Sequence, residues 1–154
     1  MKIGVVGFSS DAIDSVRARI LLEQSFKQLL LAKGAPDDTA QAVEIVTGFT
    51  NIGVPKLAYQ IADSWGYTTV GISAQQAYRV RCGIYPVKKA FIVGDNFGDE
   101  SQAFIDYIDY LVAVCGGTQS QREIVLFTEK CLQNHWAVSE RLIIRALDKI
   151  QGNY

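Results

Sequence analysis

The stretch V-C-G-G-T-Q-S-Q-R-E, Val114–Glu123, puts two glycines, two hydroxyls and a glutamate within ten residues. Glycines let backbone amides approach a ligand, hydroxyls donate hydrogen bonds, and a helix starting just after adds unpaired N–H groups that favour an anion. Two more stretches share the chemistry: G-F-S-S, Gly7–Ser10, and T-G-F-T-N-I-G-V-P, Thr47–Pro55. The candidate phosphate-binding set is therefore Gly7, Ser9 and Ser10, then Gly48, Thr50, Asn51 and Gly53, then Gly116, Gly117, Thr118 and Ser120. Arg79 and Arg81, in Y-R-V-R, are candidates to reach over a phosphate. Glu123 has two readings. It can stabilise positive charge or position water at a sugar centre, or it can close a capping box with Ser120, since S-Q-R-E is the S/T-x-x-E pattern of a helix start. Each glycine turn taken alone is equally a tight strand-to-helix connection.

The elements that must position these loops follow from apolar patterning. Five short runs, Lys2–Gly7, Val43–Thr47, Tyr67–Ile72, Ala90–Val93 and Tyr110–Val114, are continuously apolar rather than alternating, as strands buried on both faces are. Helices are expected over Ser15–Lys33, Pro55–Trp65, Glu100–Asp109, Ser120–Asn134 and Ala137–Gln151. Asp99 and Ser120 are expected to cap helix starts, and Gly34 to stop the first helix. Ala35–Gln41 reads as a loop or one helical turn, and Ser73–Val87 as an irregular segment overhanging a cleft. Strand and helix in repeated alternation imply an α/β protein: one Rossmann-like doubly wound domain over 1–154, with a mainly parallel sheet of five or more strands flanked by helices. All three glycine loops then follow strands, at the carboxyl edge where such sheets bind ligands.

Composition narrows the function classes. The 154-residue chain is 49% hydrophobic and 20% charged, close to a soluble globular average, which excludes disordered and fibrous classes. Its net charge of −1, without a basic run, argues against a nucleic-acid polymer as partner. No apolar run approaches a membrane span, and the start M-K-I-G-V-V-G-F-S-S is too short for a signal peptide, so a cytoplasmic location is expected. Cys82, Cys115 and Cys131 match no close metal-ligand spacing and are read as free thiols; no metal is assigned. Cys115 is read as a packing residue in preference to a nucleophile, and His135 as structural or interfacial. Neither G-x-G-x-x-G nor G-x-x-x-x-G-K-[ST] fits, so dinucleotide and triphosphate sites of those types are not indicated.

On these residues the chain resembles the SLOG superfamily, the Rossmann-like group that includes the LOG-type proteins once labelled lysine decarboxylases. The family's P-G-G-x-G-T-x-x-E is matched by C-G-G-T-Q-S-Q-R-E at Gly116, Gly117 and Glu123, with Ser120 in the threonine's place. Thr47–Ile72 is similar to the family's glycine-rich turn, helix and following strand, and I-G-V-V-G-F-S-S to its first strand and loop. The resemblance implies a nucleotide-like ligand with its phosphate against Gly116–Gly117, and a homodimer. It further implies that Glu123 is the family's catalytic carboxylate in hydrolysis of the N-glycosidic bond of nucleoside monophosphates. Three positions depart from the pattern: Glu100 where the family has arginine, Cys115 for proline, and Gln119 for the third glycine. The expectation is therefore a protein that senses or carries a nucleotide or related phosphorylated metabolite, needs no cofactor, and lacks the standard hydrolysis. The alternatives are a phosphoribohydrolase using Glu123, and an interaction domain with no ligand.

Overall fold

The computed structural model describes residues 1–10, 12–32 and 42–147. The segment Ala35–Gln41, the Gly34 stop and the chain beyond Leu147 lie outside the described residues. The chain runs β1 (Lys2–Gly7), α1 (Ser15–Ala32), β2 (Glu44–Thr47), α2 (Gly53–Trp65), β3 (Thr68–Ser73), a short 3-10 helix (Gln75–Arg79), β4 (Lys89–Ile92), α3 (Ser101–Tyr107), β5 (Tyr110–Val114), α4 (Thr118–Gln133), the one-turn α5 (Val138–Arg141) and β6 (Leu142–Arg145). All six strands pair in parallel, in the order β4-β3-β2-β1-β5-β6.

The continuously apolar runs of β1, β2, β3 and β5 have the expected cause, because helices cover both faces; β4, also expected to be buried, is an edge strand with Lys89, Ala90 and Phe91 exposed. Ile3 and Val5 of β1, with Ile45, Val112 and Val114, pack on Leu22, Phe26, Ala58 and Ile61 of α1 and α2. Val6, Val46, Val70 and Leu111 turn the other way, onto Phe104 and Ile105 of α3 and Phe127 and Cys131 of α4. Period-two alternation thus separates two cores rather than core from solvent. A smaller third cluster, Phe49, Tyr59 and Ala77, carries Tyr85, Val87 and Ile92 against it. Its centre is Tyr59, fully buried, whose hydroxyl lies 2.9 Å from the carbonyl oxygens of both Thr47 and Val70. Burial pushes that phenol well above its ordinary range, so it serves as a neutral tie between α2, the end of β2 and the middle of β3.

Two expectations are corrected. The helix expected from Ala137 to Gln151 is one turn, and Leu142–Arg145 instead pairs with β5, Leu111 opposite Leu142 through Val114 opposite Arg145. The run L-I-I-R is β-favouring, and β5 would otherwise expose its backbone edge at the centre of the molecule. The second correction concerns caps. Asp99 does not cap α3: its Oδ2 accepts the N–H groups of Asp95 and Asn96, closing the turn before the helix, and Glu100 occupies the N-cap position. Among the described residues, no helix is long and apolar enough to cross a membrane.

The carboxyl end of α3 shows how one long side chain can finish a helix. Lys130 of α4 donates from Nζ to the carbonyl oxygens of Ile105, Asp106 and Ile108 at 2.9, 3.1 and 2.6 Å. These are the acceptors a helix end leaves without partners, and partial burial pulls the ammonium's pKa down. Lys130→Met keeps the apolar stem and removes the donors. It is expected to lower the unfolding free energy by about 1.5–3 kcal/mol, read from urea denaturation midpoints at constant m-value.

Candidate ligand site

β2, β3 and β4 are laid down successively on one side of β1, whereas β5 and β6 lie on the other, so the direction of winding reverses between β1 and β5. Loops leaving adjacent strands diverge there, and a crevice opens at the carboxyl edge. It is a cavity of about 600 Å³, within the range of small-molecule sites. Its floor begins where Gly7 pairs with Val114. A Cβ on Gly7 would stand 2.7 Å from the Val114 carbonyl oxygen and as close to the Val54 side chain, so only glycine fits. Gly116, at φ 130°, adopts a backbone conformation foreign to other residues and lies under the Ser120 side chain.

Nine of the candidate residues line this cavity: Gly7 and Ser9; Gly48 and Thr50; Arg81; and Gly117, Thr118, Ser120 and Glu123. The three loops therefore open onto one space. Ser9 Oγ and Thr50 Oγ1 face each other at 3.5 Å, and Gly117 is the N-cap of α4 without any side-chain cap. The first intrahelical bond there runs from Gln121 N–H to the Gly117 carbonyl. The N–H groups of Thr118, Gln119 and Ser120 accordingly have no acceptor among the described residues, as at any uncapped helix start, and all three residues line the cavity.

The remaining five candidates lie outside the wall, and four of them, Ser10, Asn51, Gly53 and Gly116, support it. Ser10 Oγ accepts the Ala12 N–H, closing the turn after β1, and Gly53, at φ 65°, opens α2 against the Phe8–Ser10 backbone. Gly116 shapes the turn from beneath. Asn51 donates its N–H to the Gly83 carbonyl at 3.1 Å, and Tyr85 N–H bonds the Phe49 carbonyl at 2.8 Å. Thr50 and Ile84 form an antiparallel bridge between the same segments, and Tyr85 stacks on Tyr59 with centroids 5.0 Å apart. These contacts hold the irregular segment against the β2 loop and set Arg81 at the cavity mouth, while Arg79 is exposed on the 3-10 helix away from it.

The capping box is absent. α4 starts at Thr118, two residues earlier than the sequence pattern indicates, so Ser120 and Glu123 sit inside the helix and Glu123 faces inward at 6% exposure. Its Oε1 accepts from Gln119 Nε2 at 3.0 Å and from Ser101 Oγ at 3.3 Å. Gln119 Nε2 also donates to Glu100 Oε1 at 3.0 Å, and Glu100 Oε2 takes the Gly98 N–H at 3.0 Å. Arg122 Nη2 closes the circuit, donating to the Gly98 carbonyl at 2.8 Å and to Ser101 Oγ at 2.7 Å. The ring Gly98–Glu100–Gln119–Glu123–Ser101–Arg122 fastens the loop before α3 to the first turns of α4. It also places two buried carboxylates in the cavity wall, Glu100 at 4% exposure.

Burial is the largest influence on Glu123. It pushes the carboxyl up to about 7; the Gln119 hydrogen bond opposes this, the Glu100 charge adds to it, and the Ser101 hydroxyl and Arg122 partly counter it. Arg122, although exposed, thus acts as a clamp between Gly98 and Ser101. Glu100 and Gln119 were visible in the sequence only as departures from the family pattern. In space they are complementary, the glutamine amide bridging the glutamate to Glu123. Phe97 and Phe104, which line the same region, carried no sequence signal beyond apolarity.

The thiol of Cys115 packs against the Leu147 backbone, and its N–H bonds the Arg145 carbonyl at 3.1 Å, so it braces the segment after β6 and is not part of the cavity wall. It does so at φ 53°, a left-handed conformation rare for cysteine. His135, also left-handed at φ 58°, ends α4 by donating its N–H to the Leu132 carbonyl. No group of three or more His, Cys, Asp or Glu side chains among the described residues could hold a metal ion.

Fold and site define an α/β Rossmann-like, doubly wound protein with a ligand-sized cavity at its switch point. No family model and no curated protein sequence matches the chain. Solved structures do. The molybdenum cofactor binding protein of the phototrophic bacterium Rippkaea orientalis is similar at a TM-score of 0.64 and 22% identity, over 96% of this chain and 77% of that one. A structural-genomics target, TM1055, is similar at 0.62 and 20%, over 97% and 93%. The molybdenum cofactor carrier protein of Chlamydomonas reinhardtii is similar at 0.52 and 17%, over 97% and 90%. At these identities the likeness shows the fold.

The raised carboxyl of Glu123 has a stability consequence. Its folded pKa of about 7 exceeds the ordinary 4.5, so between these values the folded state holds more protons than the unfolded. Stability from this group is full below pH 4.5, falls as pH rises to 7, and is flat above. Glu123→Gln removes the titration while its amide oxygen still accepts from Gln119 and Ser101. Relative to the wild type, the variant should gain about 2–3 kcal/mol between pH 5 and pH 8 in paired urea titrations.

Proposed function

We propose that this chain binds a small molecule by a phosphate or similar anionic group and holds it without cleaving it, as a carrier or sensor of a nucleotide or related phosphorylated metabolite. The observation that carries this reading is the set of N–H groups of Thr118, Gln119 and Ser120, without protein acceptors, opening onto the same cavity as the Ser9 and Thr50 hydroxyls and Arg81. Amides fixed by a helix start need no reorganisation to receive an oxyanion. The residues quoted for the SLOG resemblance surround that feature, which favours placing the chain in that group as a divergent member. Two of the similar structures are named as a molybdenum cofactor binding protein and a molybdenum cofactor carrier protein, which supports reading this chain as a binder or carrier of a small ligand.

Binding is favoured over glycoside hydrolysis by charge. In the family, an arginine accompanies the glutamate; here Glu100 stands in its place, bridged to Glu123 through Gln119, and Arg122 is turned to Gly98 and Ser101 instead of the cavity. Hydrolysis retains one supporting observation, the Glu123 carboxyl held near pH 7, where general acids and bases work. Incubation with nucleoside monophosphates distinguishes the two: free base that disappears in Glu123→Gln establishes the enzyme.

Binding itself has a backbone test. Thr118 is the first residue of α4, a position that tolerates proline, and Gly117 before it is extended, as a residue preceding proline must be. Thr118→Pro removes one anion-facing N–H while leaving the helix intact. Wild-type protein at ~100 times the dissociation constant of a nucleoside monophosphate should be stabilised by about 2.7 kcal/mol in a thermal shift. The variant should bind at least about tenfold more weakly, with unchanged circular dichroism. No shift with any phosphorylated compound would leave a ligand-free interaction domain.

A further inference from the structure

We propose that the end of the cavity formed by Glu100, Gln119 and Glu123 reads a ring edge bearing adjacent N–H donors, that of the 2-aminopyrimidin-4-one ring shared by guanine and pterins, and rejects adenine. The proposal rests on the binding reading above and extends it from the anionic group to the ring.

With Glu123 ionised, this end of the site presents only acceptors. Both carboxylates are buried in the wall of a cavity rather than at the protein surface. The two amide protons of Gln119 are committed, one to each carboxylate; because a carboxylate only accepts, this also fixes which way the amide points and turns its oxygen away from both. Glu123 Oε2 accepts no hydrogen bond from the described residues, yet it is not sealed off by protein. The charged groups near the pair are Glu100 itself and Arg122, and Arg122 gives its donors to Gly98 and Ser101 outside the wall. A ligand edge with two neighbouring N–H groups would meet this oxygen and relieve the repulsion between the carboxylates. An edge with an unprotonated ring nitrogen would set a lone pair against them.

The spacing suits a ring joined to a phosphate through a sugar-sized spacer. Thr118 and Glu123 are five residues apart on α4, about 7–8 Å of helix axis. An oxyanion bonded to the N–H groups stands about 3 Å further out. Phe97, Phe104 and Ile72 supply apolar wall to the same cavity.

The test measures dissociation constants of unmodified protein by calorimetry for guanosine, inosine and adenosine 5′-monophosphates, a phosphorylated pterin, ribose 5-phosphate and inorganic phosphate. Guanosine monophosphate, with two donors on the edge, should bind about 10- to 100-fold more tightly than adenosine monophosphate, with the inosine compound between them. The pterin arm tells which ring system carries the edge. Guanosine affinity should also decline as pH falls below about 7, because a protonated Glu123 no longer accepts at both oxygens. Glu100→Gln should shrink the guanosine-to-adenosine ratio to within about threefold. Equal binding of guanosine and adenosine monophosphates, or preference for adenosine, overturns the proposal while ribose 5-phosphate binding upholds the anion site. Absence of binding by every phosphorylated compound overturns the reading beneath it.

Discussion

The parallel pairing of β1 with β5 is the constraint on which the site depends. It sets Gly7 opposite Val114, and it brings the loops that leave both strands so close that Gly7 has no room for a side chain and Gly116 lies 3.4 Å, from its would-be Cβ, to the Gly7 α-carbon. Because β2 departs to one side of β1 and β5 lies on the other, the helices that follow β1 and β5 lie on opposite faces, and the space between their approaches cannot be filled by either. The cavity is thus a consequence of strand order, and the chemistry within it belongs to the first residues after each strand.

That chemistry has two poles. At one, helix amides without partners favour negative charge; at the other, two carboxylates have been taken out of water within one glutamine amide of each other. Burying like charges is costly, and the observed hydrogen bonds only partly offset it. Gly98, Gln119 and Ser101 each contribute a donor, and Arg122 holds the loop in register without entering the site. A structure that needed only stability would be served by apolar side chains of similar volume. A carboxylate pair facing an open cavity, with one oxygen left over, suits a ligand that supplies donors.

Two of the three departures from the pattern that the chain resembles illustrate why single positions mislead. Glu100 and Gln119 each looked like a loss, of a catalytic arginine and of a turn glycine. They are 19 residues apart in sequence and directly hydrogen-bonded in space, so the loss at one position is answered by the gain at the other. Reading Ser120 and Glu123 as a capping box failed for a related reason. The pattern is local, but α4 begins where the Gly116–Gly117 turn releases the chain, and that turn is fixed by packing against β1.

The sequence by itself determined the class of fold and the edge at which ligand chemistry collects. Continuous apolar runs demand cover on both faces, and glycine-hydroxyl stretches directly after strands can only fall at the sheet's carboxyl end. Tertiary structure decided the rest. Leu142–Arg145 carries apolar residues that a helix or a strand would accommodate, and the unpaired edge of β5 made it a strand. Arg79 and Arg81 are indistinguishable in sequence, and the bridge between Thr50 and Ile84 puts one at the cavity and leaves the other in solvent. Local pattern fixes what a residue can do; which neighbours it meets depends on contacts between segments far apart in the chain, and these carry no local signature.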